Sequence, residues 1–241
     1  MQKRFYIKKT TSTNNFLKEL SLNEKLDEGF LVHTDFQTAG KGQHGNHWES
    51  EDGKNLLFSV LLYPKTLKIQ QQFILSQLTC LAVKEVLYSY CEEIAIKWAN
   101  DIYWRDQKIC GILIENSLMR DTIGKCIIGI GLNVNQEVFE SDAPNPISLR
   151  QIIGKECNRE EILRKIYDTL MALYREMDTD KIRRLYHDNL YRKDGFHPYI
   201  DAESKELFSA TIQQVESDGK LILETDTGKR KEYYFKEVKF A

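Results

Sequence analysis

The chain lacks a long run of apolar residues, and its opposite charges almost cancel. Its strongest apolar run, residues 56–63, is far shorter than the roughly 20 residues of a membrane-spanning helix, and no apolar stretch follows its charged opening. Lys and Arg number 34 against 36 Asp and Glu, a balance that argues against binding nucleic acid by general neutralisation of phosphates. We therefore expect a cytoplasmic protein with no membrane partner and no DNA partner.

The number and spacing of the cysteines also give no indication of a special site. The five cysteines are scattered along the 241 residues with no C-x-x-C pair and no grouping with histidine. An odd number without such spacing indicates neither a disulfide framework nor a zinc site, and a reducing compartment is the simpler interpretation. Cys110 stands beside Gly111 in an apolar stretch, and we interpret it as a small packed residue, not a nucleophile.

What the chain does contain is an alternation of strand-like and helix-like segments. Hydroxyl residues ahead of apolar residues at helical spacing predict a helix that begins near Ser12 with a capping hydroxyl. A turn is predicted at Asn100 and Asp101. The apolar patterns predict strands over residues 30–34, 55–63, 94–97, 109–115 and 126–134, and helices over residues 69–90, 148–153, 160–177 and 180–190.

The pattern changes after Gly195. Three short alternating stretches, residues 207–215, 221–225 and 231–235, are separated by turns that contain glycine. They predict a small β-barrel-like module of about fifty residues, which is too small to be very stable alone.

A glycine-rich stretch at residues 37–48 is the most informative local feature. Three glycines stand among basic and amide residues, so the backbone there can approach an anion closely and present its N–H groups to it. The spacing fits neither the P-loop pattern nor the dinucleotide fingerprint. Taken alone, the stretch predicts either an anion site or a plain glycine turn between two strands.

Two further stretches combine charge or glycine with strand patterns. Lys97, Asp101 and Lys108 stand beside turns, where an ammonium suits phosphate or carboxylate oxygens and an aspartate can hold Mg²⁺ or orient a lysine. The alternative is that all three are solvated turn charges. Gly129 and Gly131 alternate with branched residues in a strand, which indicates that a flat ligand or another backbone lies on that face, or that the sheet packs closely there.

Five motifs, taken in order, resemble those of biotin–protein ligases over nearly the whole chain. Each is weak alone, whereas the ordered set is specific. Residues 12–14 match S-T-N, residues 37–48 match Q-x-A-G-R-G-x-x-G-x-x-W, residues 97–101 match K-W-P-N-D, residues 108–115 match K-x-x-G-I-L-x-E, and residues 129–133 match G-x-G-x-N.

The resemblance implies a fold and a reaction. The expected fold is α+β: a mixed β-sheet with helices, like that of class II aminoacyl-tRNA synthetases, in a biotin/ATP-binding catalytic domain at residues 1–192, followed by a small SH3-like β-barrel at residues 193–241. We expect the type without an N-terminal DNA-binding domain, because the first motif already begins at Ser12, and either a monomer or a homodimer. Biotin and Mg·ATP would give biotinyl-AMP, and a lysine of a biotin carboxyl carrier protein would then take the biotin.

Residue roles follow from the same resemblance. Lys108 would lie between the biotin carboxylate and the α-phosphate, Lys97 and Lys41 would serve the phosphates, Asp101 would orient Lys108 or Mg²⁺, and Asn133 would contact adenine. The implied catalytic residues are Lys108, Asp101 and Lys97. The implied biotin-binding residues are Ser12, Thr13, Asn14, Gln37, Gly40, Lys41, Gly42, Lys108 and Gly111, and the implied ATP- or adenylate-binding residues are Lys41, Gln43, Trp48, Lys97, Asn100 and Asn133.

The chain departs from the family pattern at the glycine loop. Lys41 replaces an arginine, Gln43 stands where arginine is frequent, and Ala99 replaces the proline of K-W-P-N-D. Lysine keeps the charge and loses bidentate geometry, which puts the retention of the adenylate in question. Trp48 either orders the loop over the adenylate or belongs to the core.

Two other functions stay open at this point. The first is a lipoate or octanoate ligase or transferase of the same superfamily, although K-W-x-N-D followed by K-x-x-G-I-L-x-E favours biotin. The second is a non-catalytic protein that binds biotin or its adenylate.

Overall fold

The computed structural model describes residues 4–141 and 144–241, which form two β-sheets and five α-helices. The strands are β1 (Arg4–Thr10), β2 (Leu31–Gln37), β3 (Leu56–Leu62), β4 (Ile94–Lys97), β5 (Asp101–Trp104), β6 (Gln107–Met119), β7 (Thr122–Leu132), β8 (His197–Asp201), β9 (Leu207–Val215), β10 (Leu221–Thr225), β11 (Arg230–Tyr233) and β12 (Val238–Phe240). The helices are α1 (Thr13–Asn23), α2 (Phe73–Tyr88), α3 (Leu149–Ile153), α4 (Arg159–Glu176) and α5 (Thr179–Asp188).

The larger sheet has seven strands in the order β1-β2-β3-β7-β6-β5-β4. Only the β1–β2 pair is parallel, so this is a mixed sheet, and the predicted mixed α+β class is confirmed. β3 lies near the middle and is buried along its whole length. Because successive side chains of a strand point to opposite faces, Phe58 and Val60 pack on the α2 side, whereas Leu61 joins Leu17 of α1 on the other.

The helices begin and end where local chemistry allows. Ser148 and Gln151 form a reciprocal capping box at the start of α3, and Gly154 ends that helix in the left-handed region with φ 75°. α2 is apolar nearly all round because the sheet covers one side and α4 and α5 pack against it elsewhere. No helix in the described part of the chain is long and apolar enough to cross a membrane.

Four strands were absent from the sequence prediction, namely β1, β5, β8 and β12. β1 is an edge strand whose side chains are mostly exposed, so it carries no apolar alternation. The predicted turn at residues 100–101 is wrong in part, because Asp101 already begins β5 and pairs with Gly111. The helix predicted over residues 69–90 is divided into a 3₁₀ turn, Ile69–Gln71, and α2.

The smaller sheet is antiparallel, with five strands in the order β11-β10-β9-β8-β12. It docks on the larger sheet through Trp98, whose indole Nε1 donates a hydrogen bond of 2.9 Å to the Gly219 carbonyl. The Trp98 and Phe235 rings meet at 6.1 Å between centroids. The smaller sheet therefore touches the K-W-x-N-D stretch directly.

Gly219 should be the most sensitive glycine of this junction. It has φ 95°, and a Cβ there would lie 2.7 Å from the Phe73 ring, whereas Gly228 has φ 76° and nothing within 4 Å. We expect Gly228→Ala to lower the free energy of unfolding by about 1 kcal/mol through backbone strain alone. Gly219→Ala should cost about 2–4 kcal/mol, because overpacking adds to the strain. Urea denaturation of both variants measures the difference, and equal losses would contradict the proposed clash.

Candidate functional site

One cavity of about 830 Å³ brings the five sequence motifs together. It opens along the larger sheet and reaches Phe235 of the smaller one. Gly40 alone of the predicted site residues does not line it; a Cβ at Gly40 would lie 2.5 Å from the Trp48 carbonyl oxygen, so this glycine lets the loop fold back on itself. The predicted residues that do line it are Ser12, Thr13, Asn14, Gln37, Lys41, Gly42, Gln43, Trp48, Lys97, Asn100, Asp101, Lys108, Gly111 and Asn133.

The end of the cavity near α1 is a neutral hydrogen-bonding network. Gln37 Oε1 accepts from the Thr13 backbone N–H at 2.7 Å and from Thr13 Oγ1 at 3.1 Å. Buried Ser59 lies 2.7 Å from Thr13 Oγ1 and 2.6 Å from Asn14 Oδ1. The sequence reasoning did not single out Ser59, since a serine within an apolar strand carries no spacing signal.

Asn14 is held from both sides. Its Nδ2 donates to Glu115 Oε2 at 2.7 Å, and its Oδ1 receives the Ser59 hydroxyl. Asn14 also lies against the Gly129 backbone, where a Cβ would overlap its amide. Asn14 therefore fixes the start of α1 against the sheet, and its amide is already fully engaged.

Two polar groups of this network keep hydrogen-bonding capacity that the network itself does not use. Ser12 was expected to cap α1, and it does occupy the N-cap position, but its hydroxyl makes no capping hydrogen bond. Gln37 orients its oxygen toward Thr13, so its Nε2 group is left to face the cavity. A ligand at this end meets an uncharged donor and a hydroxyl that can donate or accept.

The opposite end is cationic. Lys108 Nζ lies 2.7 Å from Asp101 Oδ2, so the aspartate holds this ammonium in place across the β5–β6 pair. Lys97 Nζ donates to the Tyr103 hydroxyl at 3.0 Å, and burial lowers the pKa of its ammonium, with Asp101 opposing that shift. Lys41, from the glycine loop, lies on the α1 side instead, where its Nζ donates to Asn15 Oδ1 at 3.0 Å. Lys97, Asp101 and Lys108 all line this one cavity, which favours a shared site over unrelated solvated turn charges.

Trp48 lies flat against two glycines of the sheet. A Cβ at Gly131 would lie 2.6 Å from the indole, and one at Gly111 would lie 2.8 Å from it. The alternating glycines therefore do receive a flat group, and in this structure that group is the Trp48 side chain. Its Nε1 is buried without a hydrogen-bond partner among the described residues, and Lys108 Nζ is 5.7 Å from the ring centroid.

Two asparagines border the same region. Asn133 Nδ2 donates to the Ile147 carbonyl at 3.1 Å, whereas its Oδ1 is buried and has no partner in residues 4–141 and 144–241. Asn100 Nδ2 donates to the Ile112 carbonyl. A buried acceptor without a partner costs roughly 1–3 kcal/mol, so the Asn133 oxygen is a polar group that the described residues leave unsatisfied beside the cavity.

A second loop covers the cavity, and the sequence reasoning gave it no function. Glu49 carboxylate oxygens accept the backbone N–H groups of Glu140 at 2.9 Å and Ser141 at 2.8 Å, which ties this loop to the residue after Trp48. Pro144 and Pro146 indicate a loop there, but nothing in its composition indicates chemistry. The loop residues that line the cavity are Phe139, Glu140, Ser141, Pro144 and Pro146.

Metal and thiol chemistry find little support in the described part of the chain. Among those residues no group of three or more His, Cys, Asp and Glu side chains is placed to hold a metal ion. Cys110 is fully buried, and burial raises the pKa of its thiol far above its usual range. Its interpretation as a packed residue agrees with this environment.

Known proteins resemble this chain in sequence. The model of the biotin/lipoate A/B protein ligase family matches residues 6–133. The bifunctional ligase/repressor BirA of Bacillus subtilis is 32% identical over 236 residues, which cover 92% of this chain and 70% of that protein. The biotin–[acetyl-CoA-carboxylase] ligase of Paracoccus denitrificans is 29% identical over 180 residues, which cover 71% of this chain and 72% of that protein.

The fold is shared as well. A biotin protein ligase from Aquifex aeolicus, solved in complex with biotin and ATP, superimposes with a TM-score of 0.80 at 26% identity, with 100% of both chains covered. The match in sequence extends over more than half of the chain, and the match in structure over all of it. The chain therefore belongs to the biotin/lipoate A/B protein ligase family.

Proposed function

We propose that this protein is an ATP-dependent biotin–[biotin carboxyl carrier protein] ligase, which activates biotin to biotinyl-5′-AMP and transfers it to a lysine of a carrier protein. One observation carries the proposal. The cavity joins a neutral hydrogen-bonding end to a cationic end, with the indole of Trp48 beside both. Such a cavity suits a ligand with an uncharged polar ring at one end and a carboxylate at the other, together with a nucleoside triphosphate.

The neutral end is assigned to the ureido ring of biotin. Ser12 and Gln37 offer the free hydroxyl and amide, while Thr13 and Asn14 position them. Lys41, Gly42 and the Gly111 strand complete the biotin site, and Gly40 supports it indirectly by letting the loop fold back on itself. A buried ureido group needs such partners, because each polar group left unpaired costs roughly 1–3 kcal/mol.

The cationic end is assigned to the reacting groups. A carboxylate oxygen of biotin forms a bond to the α-phosphorus of ATP, the bond from that phosphorus to the bridging oxygen breaks, and pyrophosphate leaves with the electron pair. Lys108 lies between the carboxylate and the α-phosphate, and Asp101 keeps its ammonium in position. Lys97 and Lys41 hold the remaining phosphate charge. The protein contributes preorganised cations and orientation, and no covalent intermediate with a side chain is required.

The nucleotide base is assigned to the region of Trp48. The free Oδ1 of Asn133 is suited to accept a hydrogen bond from the adenine amino group. Gln43 and Asn100 line the same cavity and complete the adenylate site.

Mg²⁺ would enter with ATP and would neutralise phosphate charge there. Asp101 is the predicted carboxylate contact, but it is already paired with Lys108 at 2.7 Å. Because the described residues include no cluster of three potential ligands, the site fits an ion carried mainly by phosphates and water, as Mg²⁺ often is.

The domain assignment supports the second step. We divide the chain into a catalytic domain at residues 1–192, of the class II aminoacyl-tRNA synthetase type, and an SH3-like domain at residues 193–241. The second domain would help to dock the carrier or to close the site, since Phe235 already borders the cavity. A cytoplasmic location, the absence of a DNA partner and a monomeric or homodimeric state stay predictions.

Lipoate is the alternative substrate to separate from biotin. Its dithiolane ring has no N–H or carbonyl group, so it would leave Ser12 and Gln37 unpaired. A site built for such groups discriminates strongly against an analogue that lacks them. We expect ATP–pyrophosphate exchange with biotin and no measurable exchange with lipoate or octanoate. Exchange with lipoate alone would establish the other substrate, and no exchange with any of the three would indicate a binding protein.

Loss of the Lys108 ammonium should suppress the first step. We expect Lys108→Ala to lower the rate of biotin-dependent ATP–pyrophosphate exchange by about a hundredfold or more, as for the loss of a preorganised donor. Lys165→Ala is the matched control, because Lys165 also forms an ion pair at 2.6 Å but lies outside the cavity. Exchange by a folded Lys108→Ala protein at the rate of the control would overturn the assignment.

The loop substitutions should weaken retention of the intermediate. Lys41 and Gln43 border the cavity where relatives of this type carry arginine, and arginine can bind a phosphate in bidentate fashion. We therefore expect Lys41→Arg with Gln43→Arg to slow the release of radiolabelled biotinyl-AMP from a preformed complex. Lys68→Arg with Gln70→Arg is a control with the same spacing on an exposed segment. An unchanged off-rate in the first variant would mean that the loop acts through its backbone alone.

A further inference from the structure

Lys97 has an unusual environment for a lysine at the edge of a catalytic cavity. Its ammonium lies 4.5 Å from the centroid of the Tyr103 ring and 5.3 Å from that of the Phe240 ring. Tyr103 belongs to the larger sheet and Phe240 to the last strand of the smaller one. Two aromatic side chains from different sheets therefore flank one cation, Tyr103 with its hydroxyl end and Phe240 with its ring.

The Phe240 ring is fixed by its own neighbours. It meets Tyr199 edge to face at 5.0 Å between centroids, and Tyr199 is fully buried. It also lies 6.2 Å from the Tyr191 ring. β12 pairs with β8 so that Phe240 and Tyr199 are directly opposite each other. Because these neighbours fix the Phe240 ring, the ring can in turn position the Lys97 ammonium.

The aromatic environment leaves the charge of Lys97 available. Among residues 4–141 and 144–241 no carboxylate forms an ion pair with its ammonium, whereas Lys108 is paired with Asp101 at 2.7 Å. Of the three N–H donors of Lys97, one is used by the Tyr103 hydroxyl at 3.0 Å. Aromatic faces attract the cation without neutralising it, so the remaining donors and the full charge can act on an anion in the cavity.

We propose that Phe240 is a positioning residue for Lys97, through which the smaller sheet sets the orientation of a phosphate-binding cation in the larger one. This inference rests on the proposed function, in which Lys97 serves the phosphates of ATP. It assigns the C-terminal sheet a part in the adenylation step, in addition to any part in binding the carrier.

The test replaces the ring and keeps an apolar side chain. In the full-length protein, Phe240→Leu should raise the KM for ATP in biotin-dependent pyrophosphate exchange by about three- to tenfold, the range expected for a partly buried cation–π contact. The KM for biotin should stay unchanged, because the ureido end of the cavity is not touched. Phe240→Tyr restores an aromatic face and should recover the ATP value. Phe240→Met provides a second variant without a ring if Phe240→Leu does not fold.

Phe208→Leu is the matched control. Phe208 stacks on Tyr199 at 5.9 Å and covers Lys231 at 4.1 Å, so its loss removes an equivalent ring and an equivalent cation contact within the same sheet. Neither Phe208 nor Lys231 lines the cavity. The ATP KM of this variant should equal that of the wild type, and an equal rise would mean that general loosening of the smaller sheet explains the Phe240 effect.

A double-mutant cycle decides whether the effect acts through Lys97. In a Lys97→Ala background, Phe240→Leu should cause no further loss, because the cation that it positions is gone. The same fold-loss in both backgrounds would overturn the inference. The same double-mutant cycle can be measured without turnover, from the dissociation constants for ATP in equilibrium titrations. If the wild-type protein shows no biotin-dependent ATP–pyrophosphate exchange, the proposed function is wrong. The ATP titration still decides whether Phe240 positions Lys97.

Discussion

The structure depends on a bare patch of backbone in the middle of the larger sheet. Gly111 and Gly131 are paired directly across β6 and β7, and Gly129 stands opposite Leu113 on the same pair of strands. Without Cβ atoms, these positions let the Trp48 ring and the Asn14 amide lie against the sheet. A methyl group at any of the three would push back the element that approaches it. The glycine loop, the start of α1 and the sheet can share one cavity only because this patch is empty of side chains.

The same patch of glycines explains why the start of α1 and the glycine loop can form a polar site together. Ser12 occupies an N-cap position without capping, so helix stability gives up the contribution of about 1 kcal/mol that a capping side chain usually makes. The Asn14 amide, held by Ser59 and Glu115, fixes the first turn in its place. The local capping rule is broken at a residue that lines the cavity, and such departures are common at functional sites.

Lys108 and Lys97 are held by opposite means at the cationic end of the cavity. An ion pair with Asp101 locates Lys108 and offsets its charge, which is compatible with the proposed position of Lys108 between two anions. Tyr103 and Phe240 locate Lys97 without offsetting its charge, which is compatible with its proposed role toward phosphate. Desolvation strengthens both interactions, because electrostatic attraction rises as water is excluded.

The sequence predicted the members of the site better than their contacts. Motif order predicted 14 of the cavity-lining residues, but Ser59, Glu49 and the second loop carry no spacing signal and emerge only from tertiary packing. Strands with a clear apolar pattern, such as the continuous apolar run of β3, were predicted, whereas the exposed edge strand β1 and the three-residue β12 were not. Short strands owe their existence to the neighbours with which they pair, so local propensity says little about them.

β12 is a short strand of this kind with a direct consequence for the site. A strand of three residues has almost no propensity signal, yet it brings Phe240 to the ammonium of a lysine that lies far away in the sequence. The pairing of β12 with β8 and the docking of Gly219 on Trp98 bring the smaller sheet close enough for this contact. A sheet of this size gains much of its stability from docking. The contacts that stabilise the smaller sheet therefore also bring Phe240 to the Lys97 ammonium at the edge of the cavity.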